Sequence, residues 1–281
     1  MQSMRLIDGW PVDNASAAVV IASGHVVARR GELSRVFRLA SVTKLITAYA
    51  ALIAVEEGVA QLDDPAGPPG ATIRHLLAHA SGLAFADRTV VAKPGTRRIY
   101  SNAGFEELAD TLAKRSGIPF ADYVRAGVLA PLGMTATTFD GSPAAGASSS
   151  VSDLAQFAAE LQRPTLVDAS TMAEASRVAF PRLIGVLPGF GRQEPNDWGL
   201  GFEIRDGKSP HWTGSTSSPA TFGHFGQAGT FLWVDPRAEA ACIVLTDRHF
   251  GSWAAGAWPT FTDAVLSDLR GGDAVLRGER N

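Results

Sequence analysis

From Val42 to Val55 the chain is apolar on nearly every side, with only Thr, Lys and Tyr interrupting. A run of that length with no polar face reads as a helix buried all round, and Gly58 supplies its stop. Such a helix has no side it can turn to water. It must run through the middle of the molecule, and the other segments have to be arranged around it.

Ser41 opens that helix, so its backbone N–H is one of the unpaired donors of the first turn and lies in the positive end of the helix dipole. A developing oxyanion is stabilised there. Lys44, three residues on, rises beside it on the same face. A serine with an amine alongside has the outline of an activated nucleophile. The plainer reading makes Ser41 an N-cap and Lys44 a snorkelling surface residue. Four lysines and twenty-one serines in 281 residues give roughly 0.3 chance S-x-x-K matches, so the motif needs partners before it carries chemistry. Lys44 lies at the mouth of an otherwise apolar helix, where desolvation is expected to lower its pKa.

The length admits one large or two closely joined domains, and 46% hydrophobic residues supply a core. A net charge of −3 gives no basic field for nucleic acid. No apolar run is long and uninterrupted enough to span a bilayer, and Met1–Trp10 lack a signal-peptide core, so no membrane partner and a cytoplasmic address are expected. The lone Cys242 excludes an internal disulfide and reads as an inert core residue. His75 and His79 stand four residues apart, but neither an acidic third ligand nor a general-base Glu accompanies them. No metal or other cofactor is expected.

Ala17 to Ala28 alternate around Gly24-His25 as a hairpin does. A Pro/Gly-rich loop from Asp63 to Gly70 leads to a short helix, Ile73–His79, ended by Ser81-Gly82. Lys93–Asn102 form a turn and an extended piece before an amphipathic helix, Phe105–Ser116, so Tyr100-Ser101-Asn102 fall on a loop from which polar side chains reach a cleft. Helical pattern continues through 121–129 and 152–161. The Gly, Pro and aromatic-rich stretch from Arg177 to Pro219, with Phe180, Phe190, Trp198 and Trp212, reads as rim loops over a site or as ordinary surface loop. Strands are expected at Trp198–Ile204, Ala220–Phe225, Thr230–Val234 and Glu239–Leu245, with a turn at Asp235-Pro236-Arg237 and a last helix at Trp258–Leu269. Strands at both ends with helices between imply an α/β chain of the α+β type: an antiparallel sheet from both termini, flanked by helices, with a mostly helical insertion. Residues 1–60 plus 195–281 are expected to form the sheet domain with the nucleophile helix, and 61–194 the insertion.

Ser41-Val42-Thr43-Lys44, Tyr100-Ser101-Asn102 and His224-Phe225-Gly226, in that order, resemble the three active-site motifs of the penicillin-recognising serine hydrolases. The likeness is to the branch containing class C β-lactamases, DD-peptidases and family VIII esterases, with Y-x-N as second motif and K-T-G or H-x-G as third. It extends through His75–Leu83, Pro94-Gly95-Thr96, Pro131–Met134, Gly199–Phe202, Gly229–Pro236 and Leu245–Arg248, hence over roughly Val19 to Arg248. The resemblance implies a β-lactamase/transpeptidase-like fold with the site at the junction of its two parts. It also implies that Ser41 is acylated while Lys44 and Tyr100 handle its proton, either of them as base. A Tyr100 base would need a depressed pKa, which a nearby Lys44 cation could supply. The N–H groups of Ser41 and Gln227 would form the oxyanion hole, Asn102 would bind Lys44 or substrate, and Gly226 would leave room for substrate along its strand.

Two departures from the family pattern matter. His224 replaces the lysine of β-lactamases, so a fixed charge becomes a pH-dependent one. Phe225 replaces a threonine whose hydroxyl helps hold a β-lactam carboxylate. Both suit a neutral ester with an apolar acyl group, and no G-x-S-x-G elbow points to an α/β-hydrolase instead. The expected activity is hydrolysis of a small carboxylic ester, with a small-molecule ester or β-lactam-like substrate and a monomeric enzyme. The alternatives are a β-lactamase or D-amino-acid peptidase of the same family, and a non-catalytic penicillin-binding or sensor module.

Overall fold

The computed structural model describes residues 1–278. After a short 3-10 segment, Ser3–Gly9, strands β1 (Ala15–Ile21) and β2 (Val26–Arg30) form the hairpin expected around Gly24, whose φ of +85° suits a residue without Cβ. Strand β3 (Val36–Arg38) and a 3-10 turn, Ala40–Val42, lead into helix α1 (Thr43–Glu56). Helices α2 (Ile73–Leu77), α3 (Asn102–Ser116) and α4 (Phe120–Val124) follow, then strand β4 (Ser148–Ser150), which pairs with β3, and helices α5 (Val151–Gln162) and α6 (Ala169–Ala175). A small hairpin of β5 (Gly185–Leu187) and β6 (Gly191–Gln193) precedes β7 (Glu203–Ile204), β8 (Phe222–Gly226), β9 (Thr230–Asp235), β10 (Ala240–Thr246) and helix α7 (Ser252–Gly278).

The main sheet runs β2-β1-β10-β9-β8-β7, antiparallel throughout, so the first strands lie against the last, with Ala15 opposite Thr246 and Ile21 opposite Ala240. Residues of β1 and β10 are small or β-branched apart from Leu245, and all but the two ends of β1 are buried, because helices cover both sides. Ala18, Val20, Ile243 and Leu245 pack with α1 and α5; Ala17, Val19, Val244 and Cys242 pack toward Trp258, Phe261 and Val265 of α7. Thr43 through Ala54 of α1 are all buried, and Gly58, at φ +74°, ends the turn beyond it. This is the mixed class read from the sequence: an antiparallel sheet from both termini, flanked by helices, with a mostly helical stretch between. Among the described residues no helix is long and apolar enough to cross a membrane.

Three element boundaries differ from expectation. Helix α3 starts at Asn102, not Phe105, because Ser101 caps it: its Oγ accepts from the Gly104 N–H at 2.9 Å. The strand expected over Trp198–Ile204 shrinks to β7, since Gly201 turns to φ +87° where the chain presses onto α1; a Cβ there would lie 2.1 Å from that of Ala48. Helix α7 begins before Trp258, with Pro259 inside it and not at its first turn, where proline is usually read as a start signal.

Candidate active site

Ser41 is set at the mouth of α1 by a strained step in the backbone. Ala40 has φ +46°, which costs a non-glycine residue on the order of 1 kcal/mol. The surroundings hold it there: Thr230 Oγ1 on β9 donates to the Leu39 carbonyl at 2.8 Å, and β8 lies against the same turn. Gly226 makes that approach possible. A Cβ at this position would meet the Leu39 oxygen at 2.2 Å and Thr230 Oγ1 at 2.5 Å. The missing Cβ therefore lets β8 dock closely onto the nucleophile turn, a task the sequence did not announce.

Lys44 is fully buried, with Nζ 3.3 Å from Ser41 Oγ, 2.6 Å from Asn102 Oδ1 and 2.9 Å from the Ala144 carbonyl. It also lies 4.7 Å from the centre of the Tyr100 ring and 5.5 Å from that of Phe105. Burial lowers its pKa to about 7, with Glu106 pulling it partly back up. Two of the three neighbours are carbonyl oxygens, which only accept. A neutral amine therefore spends both N–H bonds on Asn102 and Ala144 and turns its lone pair to the Ser41 hydroxyl. Asn102 is held in turn by its own N–H, which donates to the Phe85 carbonyl at 2.8 Å.

Tyr100 Oη donates to Ser41 Oγ at 2.7 Å and lies 3.4 Å from His224 Nε2. As the base, the phenol would have needed a depressed pKa; burial instead raises it above the ordinary value, so Tyr100 keeps its proton. His224 departs from expectation in the same way. Burial, aided by the Lys44 charge, pushes its pKa down to about 3, so its charge does not change across the physiological range. The tautomer follows from geometry: Nδ1 is 2.6 Å from the Phe225 carbonyl and must carry the proton, leaving Nε2 unprotonated beside Tyr100, whose one O–H is given to Ser41. Phe225 turns to the opposite face of the sheet and packs with Phe190, Phe250 and Trp258, so it is no wall for an acyl group. The N–H of Gln227, just past β8, donates to no described residue, while its carbonyl accepts from Phe250 N at 2.9 Å.

Ser41, Lys44, Tyr100, Asn102 and His224 thus meet in one crevice, with Gly226 and Gln227 at its edge. Sequence reasoning missed Ala144, whose carbonyl is offered by a Gly/Ala/Ser-rich loop pinned to α1 through Thr47 Oγ1 and the Pro143 carbonyl, 2.6 Å apart. No motif marks that loop. The two histidines noted at helical spacing, His75 and His79, have different surroundings. His75 stacks on Phe180, whereas His79, at φ +53°, is buried behind Tyr100 and accepts the Ser101 N–H on Nδ1 at 3.1 Å. Of the expected rim aromatics, Trp198 and Trp212 are buried, Trp198 directly behind His224. The β5–β6 hairpin does border a cavity of about 350 Å³ beside Tyr100, lined also by Phe85, Ile99, Ile184 and Pro188.

Residues 15–266 match the family described as Beta-lactamase. The D-alanyl-D-alanine-carboxypeptidase/endopeptidase AmpH of Escherichia coli (strain K12) is 32% identical over 151 residues, a match spanning 41% of this chain and 39% of that protein. A crystal structure of a β-lactamase from Mycobacterium bovis superposes with a TM-score of 0.94 at 56% identity, covering 95% of this chain and 99% of its own. EstCE1, a hydrolase with promiscuous acyltransferase activity, shares the fold with a TM-score of 0.75 at 19% identity, over 94% of this chain and 96% of its own.

Proposed function

The chain belongs to the β-lactamase family of penicillin-recognising serine hydrolases, and from that membership we propose that it cleaves a small carboxylic ester through a covalent acyl-enzyme on Ser41. The observation that carries this reading is the Lys44 amine, poised at a pKa of about 7 with its lone pair toward Ser41 Oγ. Lys44 takes the Ser41 proton as Oγ attacks the ester carbonyl. The oxyanion is met by the N–H groups of Ser41 and Gln227. Collapse breaks the ester C–O bond, the leaving oxygen takes the Tyr100 O–H proton, the Lys44 ammonium gives its proton back to make good the phenolate, and water then releases the acid by the same steps reversed. The neutral state of His224 supports an ester over a β-lactam, because no cation on β8 awaits a ring carboxylate.

A second reading, β-lactam hydrolysis, is favoured by the 56% identity to the Mycobacterium bovis β-lactamase. Intact mass after separate exposure to a fluorophosphonate and a penicillin, with p-nitrophenyl butyrate and nitrocefin as substrates, distinguishes the two. The ester reading expects fluorophosphonate labelling of Ser41, fast butyrate cleavage and slow nitrocefin cleavage; Ser41→Ala should lose all labelling while staying folded. Fast nitrocefin turnover would replace it with the β-lactamase reading. A stable penicillin adduct without turnover would indicate a sensor or peptidase.

A further inference from the structure

The cavity beside Tyr100 has apolar walls and cations among its lining residues. Phe85, Ile99, Ile184, Val186 and Pro188 supply the walls, and Arg97 and Arg192 are the exposed charged residues among those that line it. Arg192 is the cross-strand partner of Val186 on the β5–β6 hairpin, so both project from the same face. Arg97 and Ile99 flank Arg98, which turns the other way: its guanidinium is consumed by the carbonyls of Ala78, Ala179, Phe180 and Asn196. Arg98 is therefore structural, and the two arginines facing the cavity are the ones left for a ligand. Arg192 has only an exposed contact with Glu194 at 3.1 Å, a pair of little energetic weight, and Arg97 has no ion-pair partner among the described residues. Among the described residues that line the cavity none is a carboxylate.

The geometry points to an anionic substrate: an ester whose apolar segment fills this cavity and whose carboxylate or similar oxyanion is held by Arg97 and Arg192. This rests on the ester reading and narrows it. A guanidinium forms paired, charge-assisted bonds to a carboxylate, and two of them on one cavity can share the same anion. The anion-binding charge is thus supplied by Arg97 and Arg192 and not by a residue of β8.

Two chain-matched pairs of esters test it: p-nitrophenyl hexanoate against mono-p-nitrophenyl adipate, and phenyl hexanoate against 4-carboxyphenyl hexanoate. The first places the anion on the acyl half, the second on the alcohol half. In at least one pair the anionic member should have a kcat/KM higher by about 10-fold or more, an advantage that shrinks with added salt. The double variant Arg97→Gln/Arg192→Gln should bring that pair to near parity. Parity in both pairs for the unaltered protein, or an advantage that survives in the folded double variant, overturns the proposal. If no ester is turned over, the ester reading itself fails, and the cavity is tested separately by protection of Ser41 from a fluorophosphonate. Hexanoate should then protect at about 10-fold lower concentration than hexanamide, and only with both arginines present; equal protection overturns the anion site.

Discussion

Lys44 loses its charge near neutrality because it is enclosed by a helix, two aromatic rings and a pair of carbonyl oxygens, with Glu106 favouring the ammonium only in part. The amine is a base only when deprotonated, and that fraction grows as pH rises through about 7. Acylation of Ser41 should therefore increase from pH 6 to pH 8 with its midpoint near 7, as read by the burst of p-nitrophenol release; a flat profile there would remove Lys44 as base. No separate His224 limb is expected, since that imidazole stays neutral down to about pH 3. His79 acts one layer further back. Its Nδ1 holds the Ser101 N–H, while its Nε2–H has no partner oxygen and lies among the rings of Tyr100, Phe105 and Trp198. Asn in its place puts Oδ1 near the position of Nδ1 and tolerates the positive φ; Gln does neither. His79→Gln should lower kcat by about 10²-fold with less change in KM, the scale of a misplaced catalytic group, and His79→Asn should recover most of it. Equal kinetics in the two variants would make His79 mere packing.

At the level of elements, the site is a meeting of termini: the first turn of α1, the N-cap of α3 and the end of β8. Each is held by a contact that a side chain would spoil or a cap that it supplies. Gly201 shows how narrow the tolerance is, because its segment passes so close to Ala48 that α1 and the chain before β7 share one van der Waals surface. Gly201→Ala combines that clash with an unfavourable φ and should cost about 2–3 kcal/mol, measured by urea unfolding. A loss under about 0.5 kcal/mol would mean that α1 can shift to make room. The helices could be read from periodicity and composition, α1 most plainly. Short strands such as β3 and β4 could not, because each is only three residues long and exists through pairing with a partner more than a hundred residues away.

Across the whole molecule, β1 lies inside the sheet between β2 and β10, although it stands near the start of the chain. Removing residues 1–21 would strip β10 of a partner and open both core layers, so the truncated chain should show no cooperative thermal transition by circular dichroism; a sharp transition near that of the full chain would show that the C-terminal strands fold alone. Behind β8, Glu203 binds Lys208 at 3.0 Å and His211 at 2.8 Å in a buried cluster that ties the 205–213 loop to the sheet. Nothing in the linear pattern announces it. The buried central helix, the pairing of the two chain ends and the residues of the three motifs were legible in order and spacing alone, because each is a local regularity or a short, distinctive string. The protonation of Tyr100 and His224, the close docking of Gly226 on the nucleophile turn and the turning away of Phe225 were not. Those depend on how much water is excluded and which groups from remote segments stand within a few ångströms, quantities that arise when the chain closes on itself.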